Sequence, residues 1–302
     1  MATLQDWKNL IGKPFYNSYE KTTKLIKKYS FDEFDGELYL QSNGILPNGQ
    51  LLYQEVFVAL PKNLEDGKKY PAVAVPFYHY NFSLGMNVET GEKIKNKTAI
   101  LSDLVKRGYI GATAVAYHLT YLPNSTDDGT AWENASAALL KDNPNWTGMG
   151  KLIDDTQRVI DLLCDDCRVD SDKLAIAGHS LGGKMAFYTG CLDQRVKAIL
   201  VSDLGLLWNQ TNWEDNWYWG DKVFTLKEKG FNNMQLLSLV APKPICVIAG
   251  YYDDENTVKA LYNIKEYSYC RQNMLVIEHA TGHKPPKYAL DAGYGFLDFL
   301  LK

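Results

Sequence analysis

From Pro71 onward, short apolar runs alternate with amphipathic stretches, and this alternation is the tightest constraint on what the chain can fold into. Runs of Val, Ile, Ala and Leu bounded by Gly, Pro or Asp read as strands buried on both faces. Repeated strand–helix units of this kind build a largely parallel sheet with helices on both sides, an α/β architecture. Strands are expected over 71–77, 109–115, 174–177, 196–201, 244–249 and 274–278, and helices over 99–107, 149–165, 181–190, 257–269 and 286–301. The helix over 149–165 is the clearest, with Leu152, Ile153, Val159, Ile160, Leu162 and Leu163 on one face. Upstream, 37–41 and 51–60 flank the Asn48–Gly49 turn and read as an antiparallel edge. Residues 1–35, dotted with lysine, read as a helical lead-in, leaving 36–302 as a single domain. Two stretches exceed ordinary loop length: 118–148, with a short helix near 131–141, and 203–235, which carries Trp208, Trp213, Trp217, Tyr218 and Trp219. Connections of that length are commonly lids or binding loops, and 203–235 is expected to form a Trp-rich lid or cap.

The chemistry concentrates at Gly178-His179-Ser180-Leu181-Gly182, after one expected strand and before a helix. A serine hydroxyl is a weak nucleophile at neutral pH and needs a neighbouring base and a rigid, exposed presentation. Small residues two positions either side permit a sharp strand-to-helix reversal that lifts the hydroxyl above the sheet edge. The N–H of Leu181, at the helix start, can then face a developing oxyanion. The bland alternative is a glycine-softened turn with an inert serine.

A base and an orienting acid must come from elsewhere. The histidines are His79, His118, His179, His279 and His283. His283 lies in Thr281-Gly282-His283-Lys284, between the last expected strand and the closing helix, at the same sheet edge as Ser180; His279 is the runner-up. His179 adjoins the nucleophile, with its side chain expected to point away. The acid is expected at Asp253, three residues past Gly250 where a late strand ends, with adjacent Asp254 and Asp203 (after the preceding strand) as alternatives.

The order Ser180, Asp253, His283, each after a strand, resembles the α/β-hydrolase superfamily over most of the chain. The string from Gly178 to Ala186 resembles the dienelactone-hydrolase-like and acetylxylan-esterase-like branches. This resemblance implies an eight-stranded, mostly parallel sheet, a Ser–His–Asp triad and no metal or organic cofactor. Two departures stand out. Many dienelactone-hydrolase relatives carry a nucleophilic cysteine where Ser180 stands. Phe77-Tyr78-His79-Tyr80-Asn81 replaces the esterase His-Gly-Gly run, so the second oxyanion N–H is expected from Tyr80. Lys184 shares a helix side with Ser180; related carbohydrate esterases place a lysine near this position, where it meets sugar hydroxyls or a carboxylate, although pairing with a nearby acid explains it equally well. Trp208, Trp213, Trp217 and Trp219 read either as the core of a lid or as walls that stack a sugar ring or aromatic acyl group.

Other function classes are disfavoured. A net charge of −4 and the lack of an arginine-rich arm argue against a nucleic-acid partner. No apolar run suggests a membrane span. The N-terminal residues lack a signal-type apolar core, so a cytoplasmic location is expected. The five cysteines (Cys164, Cys167, Cys191, Cys246 and Cys270) are odd in number, and reduced thiols are expected; Cys164 and Cys167 form a lone C-x-x-C with no second pair. The expected function is ester hydrolysis by a serine hydrolase on a small-molecule ester, acylated carbohydrates and small aromatic esters being the substrate classes that fit. An amide or acyl-peptide hydrolase on the same triad, or a non-catalytic binding protein with this fold, are the alternatives. Oligomeric state is not legible.

Overall fold

The computed structural model describes residues 2–95 and 98–302. In chain order its strands are β1 Thr23–Ser30, β2 Phe34–Ile45, β3 Leu51–Pro61, β4 Tyr70–Ala74, β5 Ile110–Ala114, β6 Val169–His179, β7 Ala198–Ser202, β8 Ile245–Ala249 and β9 Met274–Glu278. The helices are α1 Leu4–Ile11, α2 Tyr80–Leu84, α3 Ile100–Lys106, α4 Ala131–Asp142, α5 Gly148–Asp165, α6 Leu181–Leu192, α7 Lys222–Glu228, α8 Asn233–Val240, α9 Glu255–Tyr262, α10 Lys265–Ser268 and α11 Lys287–Leu301.

All nine strands form one sheet in the order β1-β2-β3-β5-β4-β6-β7-β8-β9. Pairing is antiparallel from β1 to β5 and parallel from β5 to β9. This is the α/β-hydrolase arrangement, with nine strands where eight were expected. The extra one is β1, inside the stretch expected to be a helical lead-in; helix there is confined to Leu4–Ile11. The segment TKLIKKYS offers Thr23, Ile26 and Tyr29 as β-formers and pairs with β2, while its lysines blunt an exposed edge. The helix expected over 257–269 is two helices, α9 and α10, separated at Asn263 and Ile264.

The central parallel strands are largely apolar where both faces are covered, as in Leu174–Ala177 of β6 and all of β8. One face packs against α5, α6 and the 203–235 segment, the other against α3 and α11. α1 serves the first face. Its Trp7 is completely buried, with ring centroids 5.3 Å from Phe231 and 6.2 Å from both Tyr188 and Trp219. Burying a tryptophan in such a setting contributes several kcal/mol, ~3–5 by truncation to alanine. α5 carries a buried ion pair into this layer: Lys151 Nζ lies 2.5 Å from Asp155 Oδ1 and donates to the Asn43 carbonyl at 2.8 Å. The parallel topology brings the C-terminal ends of β4, β6, β7, β8 and β9 to one edge, where the loops of interest emerge.

Candidate active site

The turn at Ser180 is as sharp as its sequence implies. His179 ends β6, α6 begins at Leu181, and Ser180 between them adopts φ 57°, ψ −121°, a conformation costly for a residue with a Cβ. Such strain is on the order of 1–3 kcal/mol and persists only where the surroundings enforce it. The enforcement is steric and polar. A Cβ on Gly178 would lie 2.1 Å from the Gly182 carbonyl oxygen, and one on Gly182 would lie 2.2 Å from the Pro76 carbonyl oxygen. The Ser180 N–H donates to the Ser202 carbonyl at 2.9 Å, tying the turn to β7.

Three of the expected side chains meet in a hydrogen-bonded row, with one substitution among the acids. His283 Nε2 lies 2.9 Å from Ser180 Oγ, and His283 Nδ1 lies 2.5 Å from Asp203 Oδ2. Asp203, not Asp253, is the carboxylate at the imidazole. It directly follows β7, the strand beside β6, and its left-handed backbone (φ 44°) turns the side chain towards His283. Asp253 is buried and committed elsewhere, accepting the N–H groups of Leu204 (2.8 Å), Gly205 (3.2 Å) and Leu206 (2.6 Å). Asp254 caps α9 through the N–H groups of Asn256 and Thr257. His279 is outside the row, bonded through Nδ1 to Thr281 Oγ1 at 3.0 Å. Burial alone would raise the Asp203 carboxyl; bonds from His283 and from the N–H groups of Asp253 and Tyr252 outweigh it and hold the group below its ordinary value. Burial pushes Asp253 the other way, up to about 6, despite its three N–H donors.

The row opens into a cleft of roughly 440 Å³ lined by Tyr78, Trp132, Ser180, Leu181, Lys184, Thr211, Asn212, Trp217, Tyr252 and His283, among others. Lys184 lies within it, its Nζ donating to Asn212 Oδ1 at 2.9 Å and sitting 4.6 and 4.1 Å from the ring centres of Trp213 and Tyr218. Burial brings its ammonium down to about 7. Of the four tryptophans expected to contact a ligand, Trp217 alone lines the cleft. Trp213 and Trp219 are fully buried, and Trp208 packs edge-on against both. They form the packed interior of the 203–235 segment because Trp7 and Tyr188 supply its apolar floor. Gly148 lets that segment dock: a Cβ there would lie 2.4 Å from the Trp217 carbonyl carbon.

Sequence reasoning missed Trp132 and Tyr78. Trp132 stacks on His118 (4.1 Å, 18°) and meets Tyr78 edge-on, giving the cleft a second aromatic wall. The available signal was its place in the other long connection, 118–148. Tyr80, whose backbone N–H is the expected second oxyanion donor, stands two residues beyond Tyr78 in the same loop. It opens α2, is buried, and donates its hydroxyl to Glu55 at 3.0 Å, whereas Tyr78 is the residue of that loop facing the cleft. All five cysteines are free. No helix among the described residues is long and apolar enough to cross a membrane.

No family model and no curated protein matches this chain. Solved structures do. A glucuronoyl esterase of carbohydrate esterase family 15 from Teredinibacter turnerae superposes with a TM-score of 0.72 at 20% identity, covering 99% of this chain and 86% of that one. A glucuronoyl esterase from Solibacter usitatus gives 0.68 at 13% identity, with 97% and 89% covered. An acetyl xylan esterase from Paenibacillus sp. R4 gives 0.61 at 14% identity, with 94% and 90% covered. At these identities the likeness establishes the shared α/β-hydrolase fold.

Proposed function

We propose that the protein is a serine carboxylic-ester hydrolase acting on esterified carbohydrates through an acyl-enzyme. The observation that carries this reading is the hydrogen-bonded row itself: a hydroxyl on a strained turn, 2.9 Å from an imidazole whose other nitrogen is 2.5 Å from a buried carboxylate. In the proposed sequence His283 Nε2 takes the Ser180 proton as Oγ attacks the ester carbonyl carbon. Asp203 fixes the tautomer that leaves Nε2 free to accept and stabilises the imidazolium that forms. The oxyanion is received by the N–H of Leu181 and a second N–H from the Tyr78–Asn81 loop, each donor worth ~3–4 kcal/mol. His283 returns its proton to the departing alkoxide. Water, deprotonated by the same imidazole, then attacks the acyl-enzyme; acid departs and Ser180 regains its proton.

Two observations favour carbohydrate esters. Tyr78, Trp132 and Trp217 provide flat apolar walls, while Lys184, Thr211 and Asn212 provide polar groups among them, the mix that holds a sugar ring by stacking and by its hydroxyls. The structures sharing this fold include proteins described as glucuronoyl and acetyl xylan esterases. The test is an ester panel: methyl uronates, acetylated xylo-oligosaccharides and p-nitrophenyl acetate, with matching amides, assayed on the parent and on Ser180→Ala. Turnover of sugar esters that vanishes in the variant is expected. Faster turnover of amides, or a variant that keeps most of the activity, would overturn the reading.

A further inference from the structure

The geometry points to His179 as a positioning residue: a neutral ring that backs the His283 imidazole and is itself anchored to the strand carrying the acid. This rests on the reading of Ser180, His283 and Asp203 as the reacting row, and extends it.

His179 and Ser202 are the last residues of β6 and β7 and are registered partners across the two strands. Each stands immediately before a member of the row, Ser180 and Asp203 respectively. His179 Nδ1 lies 3.2 Å from Ser202 Oγ, a side-chain bond that runs one residue behind the nucleophile and the acid. The two strand ends are therefore joined twice, by this bond and by the Ser180 N–H on the Ser202 carbonyl. The ring was expected to turn away from the site. It packs instead against His283, with centroids 4.6 Å apart and planes inclined at 37°. Tyr252 meets the same imidazole edge-on, its centroid 4.9 Å away.

His283 needs such support. It comes from an irregular loop after β9, follows Gly282 in a left-handed conformation, and keeps 38% of its side chain exposed. Its two nitrogens fix direction along the Ser180–Asp203 line, yet two terminal bonds leave rotation about that line free. Contact with a ring face removes that freedom. The ring also suits the charge that catalysis creates. Burial, aided by the nearby His283, brings His179 down to about 3, so it contributes no cation of its own at working pH. A neutral π face within ~6 Å of a transient imidazolium attracts it. A space-filling residue of similar bulk would do neither.

That contrast supplies the experiment. The variants are His179→Leu, His179→Phe and Ser202→Ala, with folding checked by circular dichroism. The readouts are steady-state turnover of p-nitrophenyl acetate and the rate of labelling by a fluorophosphonate, in which Oγ bonds to phosphorus and fluoride leaves. His179→Leu should lower kcat and the labelling rate together by ~10–30-fold with KM within about twofold, because a misoriented base slows the step without weakening binding. His179→Phe, which restores a ring without a nitrogen, should recover most of that loss. Ser202→Ala, which frees the ring from its anchor, should fall between. The low-field proton resonance of the short His283–Asp203 bond should broaden in His179→Leu and sharpen again in His179→Phe. Equal rates for the Leu variant and the parent, or Phe no better than Leu, would overturn the positioning role. Should the Leu variant not fold, a Ser202→Ala enzyme at parental kcat with an unchanged resonance would overturn it. Ser180→Ala separates this from the parent reading. If it abolishes labelling while the His179 variants stay fast, only the positioning role falls; if labelling survives it, both fall.

Discussion

Asp203 and Asp253 brace each other's loops. Asp203 Oδ1 accepts the N–H groups of Tyr252 (2.6 Å) and Asp253 (3.0 Å), and Asp253 accepts those of the three residues that follow Asp203. Each carboxylate fixes the turn from which the other projects, and only Asp203 has an oxygen left over for His283.

The first prediction separates the two acids. Asp203→Asn should lower kcat by about 10⁴-fold with little loss of fold, since the amide favours the wrong imidazole tautomer. Asp253→Asn turns an NH₂ group towards backbone donors and leaves some unpaired. It should cost on the order of 1–3 kcal/mol of stability per stranded group while retaining far more activity. Urea melts and initial rates measured on both variants decide it; a reversed pattern would return Asp253 to the role of acid.

A second concerns pH and Asp154 on α5, whose Oδ2 has no partner among the described residues. Burial, opposed by Lys151, raises its carboxyl from 3.8 to about 6. A carboxyl raised on folding contributes stability that is fully present below 3.8 and is lost as pH rises through about 6. Asp154→Asn is neutral at every pH and avoids that loss. The variant should be more stable than the parent at pH 8, by on the order of 1–3 kcal/mol, and no more stable near pH 4. Thermal melts at the two pH values that show the same difference would contradict the assignment.

The tryptophans divide by position. Trp132→Ala and Trp217→Ala remove walls of the cleft and should raise KM for bulky sugar esters about tenfold or more, leaving p-nitrophenyl acetate nearly untouched. Trp213→Ala and Trp219→Ala empty a packed interior and should cost ~3–5 kcal/mol of stability. Paired kinetics and denaturation curves give the sorting.

Lys184 offers a fourth test. Lys184→Met keeps an unbranched stem of similar length but removes the ammonium, and with it the bond to Asn212 and the cation contacts with Trp213 and Tyr218. KM for hydroxyl-bearing sugar esters should rise by roughly 10-fold or more, the loss of about one charged hydrogen bond, while a small acetate ester should be unaffected. A uniform fall in kcat for both substrates would mean that the ammonium acts on the reacting carbonyl instead.

Much of this was legible in the chain itself. The parallel half of the sheet follows from apolar runs such as 244–249, and the elbow from glycines whose absent Cβ atoms prove sterically necessary. His283 was readable because only one histidine sits on a loop after the last strand beside a glycine. The carboxylate beside His283 was not, because β7 and β8 are adjacent, the loops that follow them carry Asp203 and Asp253 at the same edge, and spacing says nothing about which carboxylate the neighbouring N–H groups consume. β1 was hidden because an edge strand buries little and shows no apolar alternation. The tryptophans stayed ambiguous for a related reason: sequence marks them as large and clustered, but whether they face a ligand or pack around Trp7 depends on a contact between distant parts of the chain.

That contact has a consequence for biogenesis. Trp7 is synthesised early, yet the rings that enclose it, Tyr188, Trp219 and Phe231, follow much later, and His283 later still. A nascent chain therefore carries an unsheltered indole until residues 188–231 have emerged, and the imidazole of His283 joins the cleft only after the wall behind Trp217 is complete. Chaperone engagement with the nascent chain should therefore centre on the segment around Trp7.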